Sequence, residues 1–335
     1  MTGGAVAERV RRLARVTPLV PAPALGRRTG ADVWLKLECL QRTGSFKVRG
    51  AAARLAALAL ASDATAGTTG GGSDPPPGRL RPRVIAASAG NHGLGIAFAA
   101  QAFDVDATIL VSAQTPAMKR DGIVALGAKV EVAGATYDEA EAEARRRAAA
   151  DPALVFVSAF DDDHVIAGNG GLLAREILAQ LPDVEHIVVP VGGGGLAAGI
   201  GVEVVPRGVK VWGASPEANC AMRRSLDDGH AYTTYVGGPT LAEGLEGAVS
   251  ERTYEMAKDY FPDIALVSEV GIRRSIVYAY RSLGILCEAS AAPPLAALLE
   301  DPAHVRGCRV VVLVSGGNIE PDLLDQLLTG GVSSS

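Results

Sequence analysis

A lysine in a glycine-containing turn is the side chain with the clearest chemical potential. Lys47 ends the segment Thr43-Gly44-Ser45-Phe46-Lys47, and the residues before it, 33–38, alternate between apolar and polar side chains as in a strand. A turn at the end of a strand presents its side chain rigidly, and a desolvated lysine amine becomes nucleophilic near neutral pH. Lys47 is therefore a candidate for Schiff-base formation. The alternative is an ordinary exposed lysine.

A second turn, Ser88-Ala89-Gly90-Asn91-His92, lies between a predicted strand and a predicted helix. Backbone N–H groups at a helix start carry partial positive charge, and small residues let an anion approach them closely. The turn suits a substrate carboxylate, but a plain helix cap by Ser88 or Asn91 explains it equally well. His92 is not assigned as a base, because a satisfied buried histidine accounts for it.

A third turn consists of four glycines, Gly192 to Gly195, before an alanine-rich segment. Such a run at a helix start forms a nest of N–H groups suited to a phosphate. The Lys-Ser/Thr pair of a Walker loop does not follow. Gly193, Gly195 and Gly199, with Glu217 about 20 residues further on, resemble a dinucleotide-binding spacing, so a nicotinamide-dependent oxidoreductase remains a rival hypothesis.

A fourth motif, Ser315-Gly316-Gly317-Asn318, follows the last predicted strand, 309–314. Open α/β sheets bind their ligands at this end of their strands. The Ser315 hydroxyl is placed either to meet a ring nitrogen of a ligand or to cap the following helix.

The elements that position these turns alternate between strand-like and helix-like segments. Continuous apolar strands in such an order predict mostly parallel sheets flanked by helices, which is the α/β class. Residues 61–82 are rich in Gly, Pro, Ser and Thr, which predicts a mobile surface loop. The strands are predicted at 84–87, 108–111, 129–132, 154–157, 186–190, 209–213 and 309–314.

Composition narrows the classes of partner. The 335 residues are 48% hydrophobic and 21% charged, with a net charge of −5. This balance predicts a folded protein without a broad basic face for nucleic acid or a membrane anchor, and therefore a small-molecule partner. The cysteines Cys39, Cys220, Cys287 and Cys308 lack CxxC or metal-ligand spacing, as expected of reduced thiols in a cytoplasmic protein.

Taken together, the motifs show that the chain resembles the threonine dehydratase and serine racemase group of pyridoxal-5′-phosphate (PLP) enzymes. This group has the two-domain fold type II, similar to that of the tryptophan synthase β subunit. The resemblance extends through nearly the whole chain. It is carried by the segments 17–19, 36–51, 87–92, 160–162, 165–168, 192–196, 241–245, 287–290 and 315–318.

The resemblance implies a role for each matching residue. Lys47 would form the Schiff base with PLP and Phe46 would pack by its ring. The other cofactor contacts would be Asn91 at the phenolic oxygen, Gly192, Gly193, Gly194, Gly195 and Leu196 at the phosphate, Ser315 at the pyridine nitrogen and Glu288 near the ring. The substrate carboxylate would be bound by Ser88, Ala89, Gly90, Asn91 and His92.

The resemblance also implies a domain organisation and an assembly. Residues 1–50 and 158–335 would form a large PLP-binding domain, and residues 51–157 a small mobile domain with the insertion 61–82. A homodimer is expected, both from the group and because dimers are the commonest closed symmetry.

The implied reaction is PLP-dependent removal of the hydroxyl group from a β-hydroxy amino acid, such as L-threonine or L-serine. The products are a 2-oxo acid and ammonia, and the freed Lys47 amine would remove the α-proton. Racemases of the group carry serine at the position of Ala89, so a dehydratase (lyase) is favoured and a racemase is the alternative. Further alternatives are β-replacement, whose enzymes have a different Thr-Ser-Gly-Asn turn, and a non-catalytic sensor.

A metal site is not expected. Many relatives bind a divalent cation through acidic residues after the strand that follows the tetraglycine helix. Ser215 and Ala221 occupy those places here, so the sequence predicts no cation.

Overall fold

The computed structural model describes residues 3–66, 81–88, 90–115 and 117–330, which form two compact units. Unit 1 consists of the described residues of Met1–Arg15 and Lys47–Asn169, and unit 2 of those of Val16–Phe46 and Gly170–Ser335. Within those residues, no helix is both long enough and apolar enough to cross a membrane.

The strands and helices alternate along most of the chain. The strands are β1 Leu19–Pro21, β2 Asp32–Leu37, β3 Arg83–Ala87, β4 Asp106–Val111, β5 Lys129–Val132, β6 Leu154–Phe156, β7 His186–Pro190, β8 Lys210–Pro216, β9 Ile264–Val267 and β10 Arg309–Val314. The helices are α1 Gly4–Leu13, α2 Pro23–Thr29, α3 Lys47–Ala66, α4 Asn91–Phe103, α5 Ala117–Ala125, α6 Tyr137–Ala150, α7 Asp163–Ile166, α8 Leu172–Gln180, α9 Gly195–Val204, α10 Ala221–Asp228, α11 Glu251–Tyr260, α12 Glu269–Leu283, α13 Pro293–Glu300 and α14 Pro321–Thr329.

Unit 1 is built on a four-stranded parallel sheet in the order β5-β4-β3-β6. The apolar side chains of Ile85 and Leu110 pack against Ala140 and Ala144 of α6, and all four are buried. The carboxyl ends of β3 and β6 lie side by side, because these two strands pair in parallel. The turn after β3 and the segment after β6 are thereby brought together.

Unit 2 is built on a six-stranded sheet in the order β1-β2-β10-β7-β8-β9. Only the short edge strand β1 runs antiparallel to its neighbour among the described strands. The central strands are apolar on both faces, as burial beneath helices on both sides requires. The tetraglycine turn after β7 and Ser315 after β10 therefore lie at neighbouring strand ends. The predicted α/β class with mostly parallel sheets is confirmed.

The predicted surface loop at 61–82 is wrong for its first six residues, which continue helix α3 as far as Ala66. Alanine is the strongest helix former, and Ala61, Ala64 and Ala66 extend the alanine-rich run of α3. Residues 67–80 lie outside the described residues, and residues 81–82 form neither helix nor strand.

The compact units have different boundaries from the predicted large and small domains. Helix α1, which the prediction gave to the large domain, packs on α3 within unit 1, where Arg9 pairs with Asp63 at 3.1 Å. Unit 1 also includes residues 158–169. The assignment of a large PLP-binding domain and a small mobile domain stays a prediction about function.

Candidate active site

Lys47 is the first residue of α3 in unit 1, and its amine has a defined partner there. Its side chain is half-buried, and Nζ donates a hydrogen bond to the backbone oxygen of Ala159 at 3.0 Å. Ala159 follows β6, so the amine lies at the carboxyl end of the unit 1 sheet. The structure thus rejects the alternative of an ordinary exposed surface lysine.

The Ser88–His92 turn follows β3 at the same end of that sheet. Helix α4 begins at Asn91 with Gly90 as its N-cap, and no side chain caps it. The first bond of this helix runs from Leu94 N to Gly90 O, so the N–H groups of residues 91–93 have no acceptor within the helix. Ser88 Oγ instead accepts from Gly90 N at 3.2 Å. The helix-cap explanation of this turn is therefore wrong.

The α4 turn lies beside the lysine. A Cβ atom built on Gly95 of α4 would come within 3.1 Å of the backbone of Lys47, so the two helix starts approach closely. Ala89, the residue that separates the dehydratase and racemase hypotheses, lies outside the described residues, so that distinction rests on sequence.

The imidazole of His92 turns toward β6. It is buried, and Nε2 donates to Val157 O at 3.1 Å while Nδ1 has no hydrogen-bond partner. Burial, followed by the nearby charge of Lys47, lowers the pKa of His92 to about 3. The ring is therefore neutral at physiological pH. His92 is buried as predicted, but it is only partly satisfied, because Nε2 has a partner and Nδ1 has none. Carboxylate binding by its backbone stays a prediction.

The tetraglycine turn in unit 2 leads from β7 into α9. Gly194 is the N-cap with a φ of +88°, a conformation that favours glycine, and no side chain caps the helix. A Cβ on Gly192 would lie 2.9 Å from Leu245 Cα, and one on Gly194 would lie 2.6 Å from Met222 Cε. A side chain at position 192 would meet the backbone of Leu245, and the φ at position 194 favours glycine. The tetraglycine turn presents the N–H groups of the first turn of α9 without a competing side chain.

Ser315 follows β10 directly and is 2% exposed. Helix α14 begins only at Pro321, with Glu320 as its N-cap, so Ser315 does not cap it. The backbone oxygen of Ser315 accepts from Phe46 N at 3.0 Å, which fixes the residue before Lys47.

Asn318 is a supporting residue that the sequence reasoning left without a role. Its side-chain Nδ2 donates to Thr43 O at 2.8 Å, and Gly317 N donates to Gly44 O at 2.9 Å. These bonds tie the turn before Lys47 to the turn after β10. Asn318 was named only as part of a motif, and no local pattern signals such a long-range contact.

Glu288 braces the turn after β10. It is buried, its Oε2 accepts from Asn318 N at 3.2 Å, and its own N–H donates to Gly316 O at 3.1 Å.

Burial raises the pKa of the Cys39 thiol to about 11, with the charges of Glu38 and Glu288 acting in the same direction. All four cysteines are free thiols, in agreement with the expectation of reduced residues.

Lys36 is a second buried lysine that the sequence did not single out. It is fully buried, and its Nζ donates to Glu176 Oε1, to Thr17 O at 2.8 Å and to Gln180 Oε1 at 2.7 Å. A lysine amine has three donors, and each has an acceptor here. The alternation of 33–38 predicted a strand, and within it Lys36 is buried where Glu176 and Gln180 of α8 accept its hydrogen bonds.

The metal prediction is consistent with the local bonding but not tested by it. The Ser215 hydroxyl donates to Val191 O at 2.6 Å, and Ala221 begins α10. The described residues contain no group of three or more His, Cys, Asp or Glu side chains able to hold a metal. The absence of a cation requirement stays a prediction.

The residues present fit PLP. Within unit 1 the lysine amine is held by a backbone carbonyl, and within unit 2 the start of α9 has no side-chain cap and has a glycine turn that suits a phosphate. Near Phe46, the hydroxyls of Thr43 and Ser45 are buried and have no partner within the protein, which is expected where a polar ligand completes the bonding.

Comparison with known proteins decides the family. A family model described as "Pyridoxal-phosphate dependent enzyme" matches residues 10–316. The chain belongs to this family. PLP is therefore its cofactor, and the oxidoreductase hypothesis built on the spacing of Gly193, Gly195 and Gly199 is wrong.

Individual relatives agree with the resemblance seen in the motifs. L-threonine ammonia-lyase of Thermotoga maritima is 38% identical over 322 residues, which cover 95% of this chain and 75% of that protein. The structure of processed threonine deaminase isoform 2 from Solanum lycopersicum has a TM-score of 0.83 and 30% identity, covering 99% of this chain and 92% of that chain. Serine racemase of Dictyostelium discoideum has a TM-score of 0.81 and 27% identity, covering 94% and 96%.

Proposed function

We propose that the protein is a PLP-dependent ammonia-lyase that removes the hydroxyl group of a β-hydroxy amino acid such as L-threonine or L-serine. The products are a 2-oxo acid and ammonia. The observation that carries this proposal is the amine of Lys47, held at the carboxyl end of the unit 1 sheet beside the uncapped start of α4. A base and a carboxylate-binding helix N-terminus are what removal of an α-proton from an amino acid requires.

PLP, when bound, withdraws electrons from Cα and so makes the α-proton acidic. Lys47 carries the cofactor covalently and, once its amine is released, takes that proton. The N–H groups at the start of α4, within Ser88–His92, bind the substrate carboxylate. The positive end of the α4 dipole favours that anion.

The remaining residues bind the cofactor. Gly192–Leu196 donate backbone N–H groups to its phosphate, Asn91 bonds its phenolic oxygen, Phe46 packs on its ring and Glu288 supports the region. Ser315 meets the pyridine nitrogen with a neutral hydroxyl, which, unlike a carboxylate, does not favour a protonated ring.

The proposal is tested by incubating the purified, PLP-loaded protein with L-threonine, L-serine, 3-hydroxyaspartate and phenylserine and measuring oxo acid and ammonia. Oxo acid formed from threonine or serine at rates far above the PLP-only control supports it. Faster formation of the D-enantiomer than of oxo acid from serine or threonine would instead favour the racemase alternative. The alanine at position 89 supports the dehydratase, because it has no hydroxyl to donate a proton to Cα.

We also infer a cytoplasmic homodimer. The four cysteines without disulfide bonds support the cytoplasm, and the prevalence of twofold assemblies among soluble oligomers supports the homodimer. Analytical ultracentrifugation of the PLP-loaded protein checks the assembly, and a sedimentation coefficient of a monomer would contradict it.

A further inference from the structure

The segment that follows β6 in unit 1 holds the Lys47 amine. Lys47 Nζ donates to Ala159 O at 3.0 Å, and Ala159 lies between Ser158 and Phe160 in the turn before α7. The acceptor is a backbone oxygen, so its position depends entirely on how this turn is anchored.

The first anchor is His92 of α4. Its Nε2 donates to Val157 O at 3.1 Å, while Val157 N donates to Ile85 O at 2.9 Å and so continues the pairing of β6 with β3. The ring is 4% exposed and stays neutral, so it keeps the same donor across the working pH range. Both the backbone N–H and the backbone carbonyl of Val157 therefore form hydrogen bonds.

The second anchor is Ser158, which is 6% exposed. Its Oγ accepts from Asp161 N at 3.0 Å and from Phe160 N at 3.4 Å. This arrangement closes a tight turn around the Ala159 carbonyl. Just beyond it, Asp162 caps α7 and pairs with Arg54 at 2.9 Å.

A carbonyl oxygen accepts hydrogen bonds and cannot donate them. When the Lys47 amine is neutral, a bond to Ala159 O uses one N–H and leaves the nitrogen lone pair directed away from Ala159. After proton uptake, the ammonium keeps the same bond, now stronger because it is charge-assisted. The carbonyl thus orients the amine and favours its protonated form.

We propose that His92 and Ser158 are positioning residues that fix the Ala159 carbonyl and thereby orient the Lys47 amine for proton removal at Cα. This inference rests on the proposed function in one respect, namely that Lys47 is the base. The side chain of His92, which is buried and does not act as a base, thereby has a positioning role. This role is separate from the proposed binding of the substrate carboxylate by the backbone of the same turn.

The first test compares Ser158→Ala with Ser158→Thr in the PLP-loaded protein. The alanine variant should lower kcat about tenfold, because small displacements of a catalytic group cost that much or more, with KM changed by less than about twofold. The acid-side pKa of the kcat profile should fall by about half a unit, because the ammonium loses a well-placed acceptor. Threonine keeps the hydroxyl and should restore both values.

A matched control is Ser112→Ala. Ser112 follows β4 in the same sheet, and its hydroxyl bonds Thr115 Oγ1 at 3.2 Å in a comparable local turn. It should leave kcat and the pH profile unchanged. If Ser158→Ala leaves the pH profile at its wild-type position, or if Ser158→Thr behaves like Ser158→Ala, the proposal is wrong.

Substitutions of His92 test the proposal independently of Ser158. Glutamine places an amide nitrogen where Nε2 lies and can still donate to Val157 O, whereas leucine cannot. His92→Gln should retain the wild-type acid-side pKa and His92→Leu should lower it. Equal profiles for the two variants overturn the role of His92.

A readout without turnover separates this inference from the proposed function. The rate at which Lys47 forms an imine with added PLP, measured by trapping with borohydride at timed intervals and mass spectrometry of the Lys47 peptide, should fall several-fold in Ser158→Ala and not in Ser112→Ala. A wild-type protein that traps PLP but forms no oxo acid overturns the proposed function alone. Equal trapping rates in the wild-type protein and Ser158→Ala overturn the positioning role.

Discussion

The turns before α4 and α9 both leave a helix start without a side-chain cap, but they consist of different residues. Each follows a buried parallel strand, and neither helix has a side-chain cap. The α4 turn in unit 1 carries Ser88, Asn91 and the buried His92, whereas the α9 turn in unit 2 is entirely glycine before the helix.

The difference follows from what each turn is proposed to bind. A phosphate needs only N–H groups and close approach, so the α9 turn has no side chain to obstruct it, and its glycines also fit against Leu245 and Met222. The α4 turn lies beside the lysine, where position matters to chemistry, and its side chains form hydrogen bonds: His92 Nε2 donates to Val157 O, and Ser88 Oγ accepts from Gly90 N. We expect substitutions in the two turns to affect different measured quantities.

The largest effect on activity should come from removing the Lys47 amine. Lys47→Ala should reduce oxo-acid formation by at least about a thousandfold, because the covalent attachment and the base are lost together. Borohydride should no longer trap PLP on this residue. Lys210→Ala, at the exposed first residue of β8, is the control and should retain activity. Substantial turnover by Lys47→Ala would contradict the assignment.

The next largest effect tests the glycine turn. Gly194→Ala should weaken PLP binding about ten- to hundredfold, because its φ of +88° disfavours a side chain and a Cβ there would displace the end of Met222 and lie 3.3 Å from Thr253 Cβ. Gly208→Ala is a matched control, since its φ is +82° and a Cβ there has nothing within 4 Å. The control should cost only about 1 kcal/mol of stability. Equilibrium PLP titration of both variants measures the difference, and equal affinities would refute the role of the turn.

Acid should destabilise unit 1 through His92. Its folded pKa of about 3 lies below the unfolded value of about 6.5, so the unfolded chain binds this proton more tightly. The stability due to neutral His92 is present above pH 6.5 and is lost as pH falls toward about 3.

The slope contributed by this residue is at most about 1.4 kcal/mol per pH unit within that window. Urea unfolding between pH 4 and 7 measures the free energy of unfolding, which should change less steeply with pH in His92→Gln than in the wild-type protein. Equal slopes of this free energy against pH would mean that His92 is protonated in the folded state or is not buried.

A smaller effect is expected at Ser88. Removing its hydroxyl by Ser88→Ala deletes the acceptor for Gly90 N, a bond worth about 1 kcal/mol. We expect KM for the amino acid to rise about fivefold while kcat stays near its wild-type value. A fall in kcat with unchanged KM would indicate that the turn acts in proton transfer rather than in substrate binding.

No effect is expected from metal removal. The Ser215 hydroxyl at the strand end beyond α9 is already bonded to Val191 O, so activity should be unchanged by EDTA. Strong activation by magnesium or calcium would contradict the prediction that no cation binds near Ser215 and Ala221.

Much of the fold could be predicted because its strands are either long apolar runs, as in β10, or alternate polar and apolar side chains, as in β5. Strands β5, β7 and β10 begin and end where the sequence places them. The solvated end of α6 was also predictable, since Glu141–Arg145 and Glu143–Arg147 pair at 2.7 Å as their spacing requires. Local periodicity and charge spacing determine such features.

Other features were not predictable because long-range packing decides them. Strand β9 is an apolar run of only four residues whose middle two are not buried, and so short a run does not distinguish a strand from other structure. Lys36 on the polar face of β2 is fully buried, and Glu176 and Gln180 of α8 accept its hydrogen bonds. Neither partner is within reach of Lys36 along the chain, so no local pattern indicates that a lysine there is paired.

The sequence by itself determined the chemical groups of this protein: the lysine at position 47, the glycines that permit close approach to an anion, and the order of strands and helices that places each turn at a strand end. The tertiary structure decided what holds them. Whether Ser88 and Ser315 cap helices, where the imidazole of His92 donates and which carbonyl receives the Lys47 amine depend on atoms far apart in the chain. Hydrogen bonds are directional and short, so only the folded backbone establishes them.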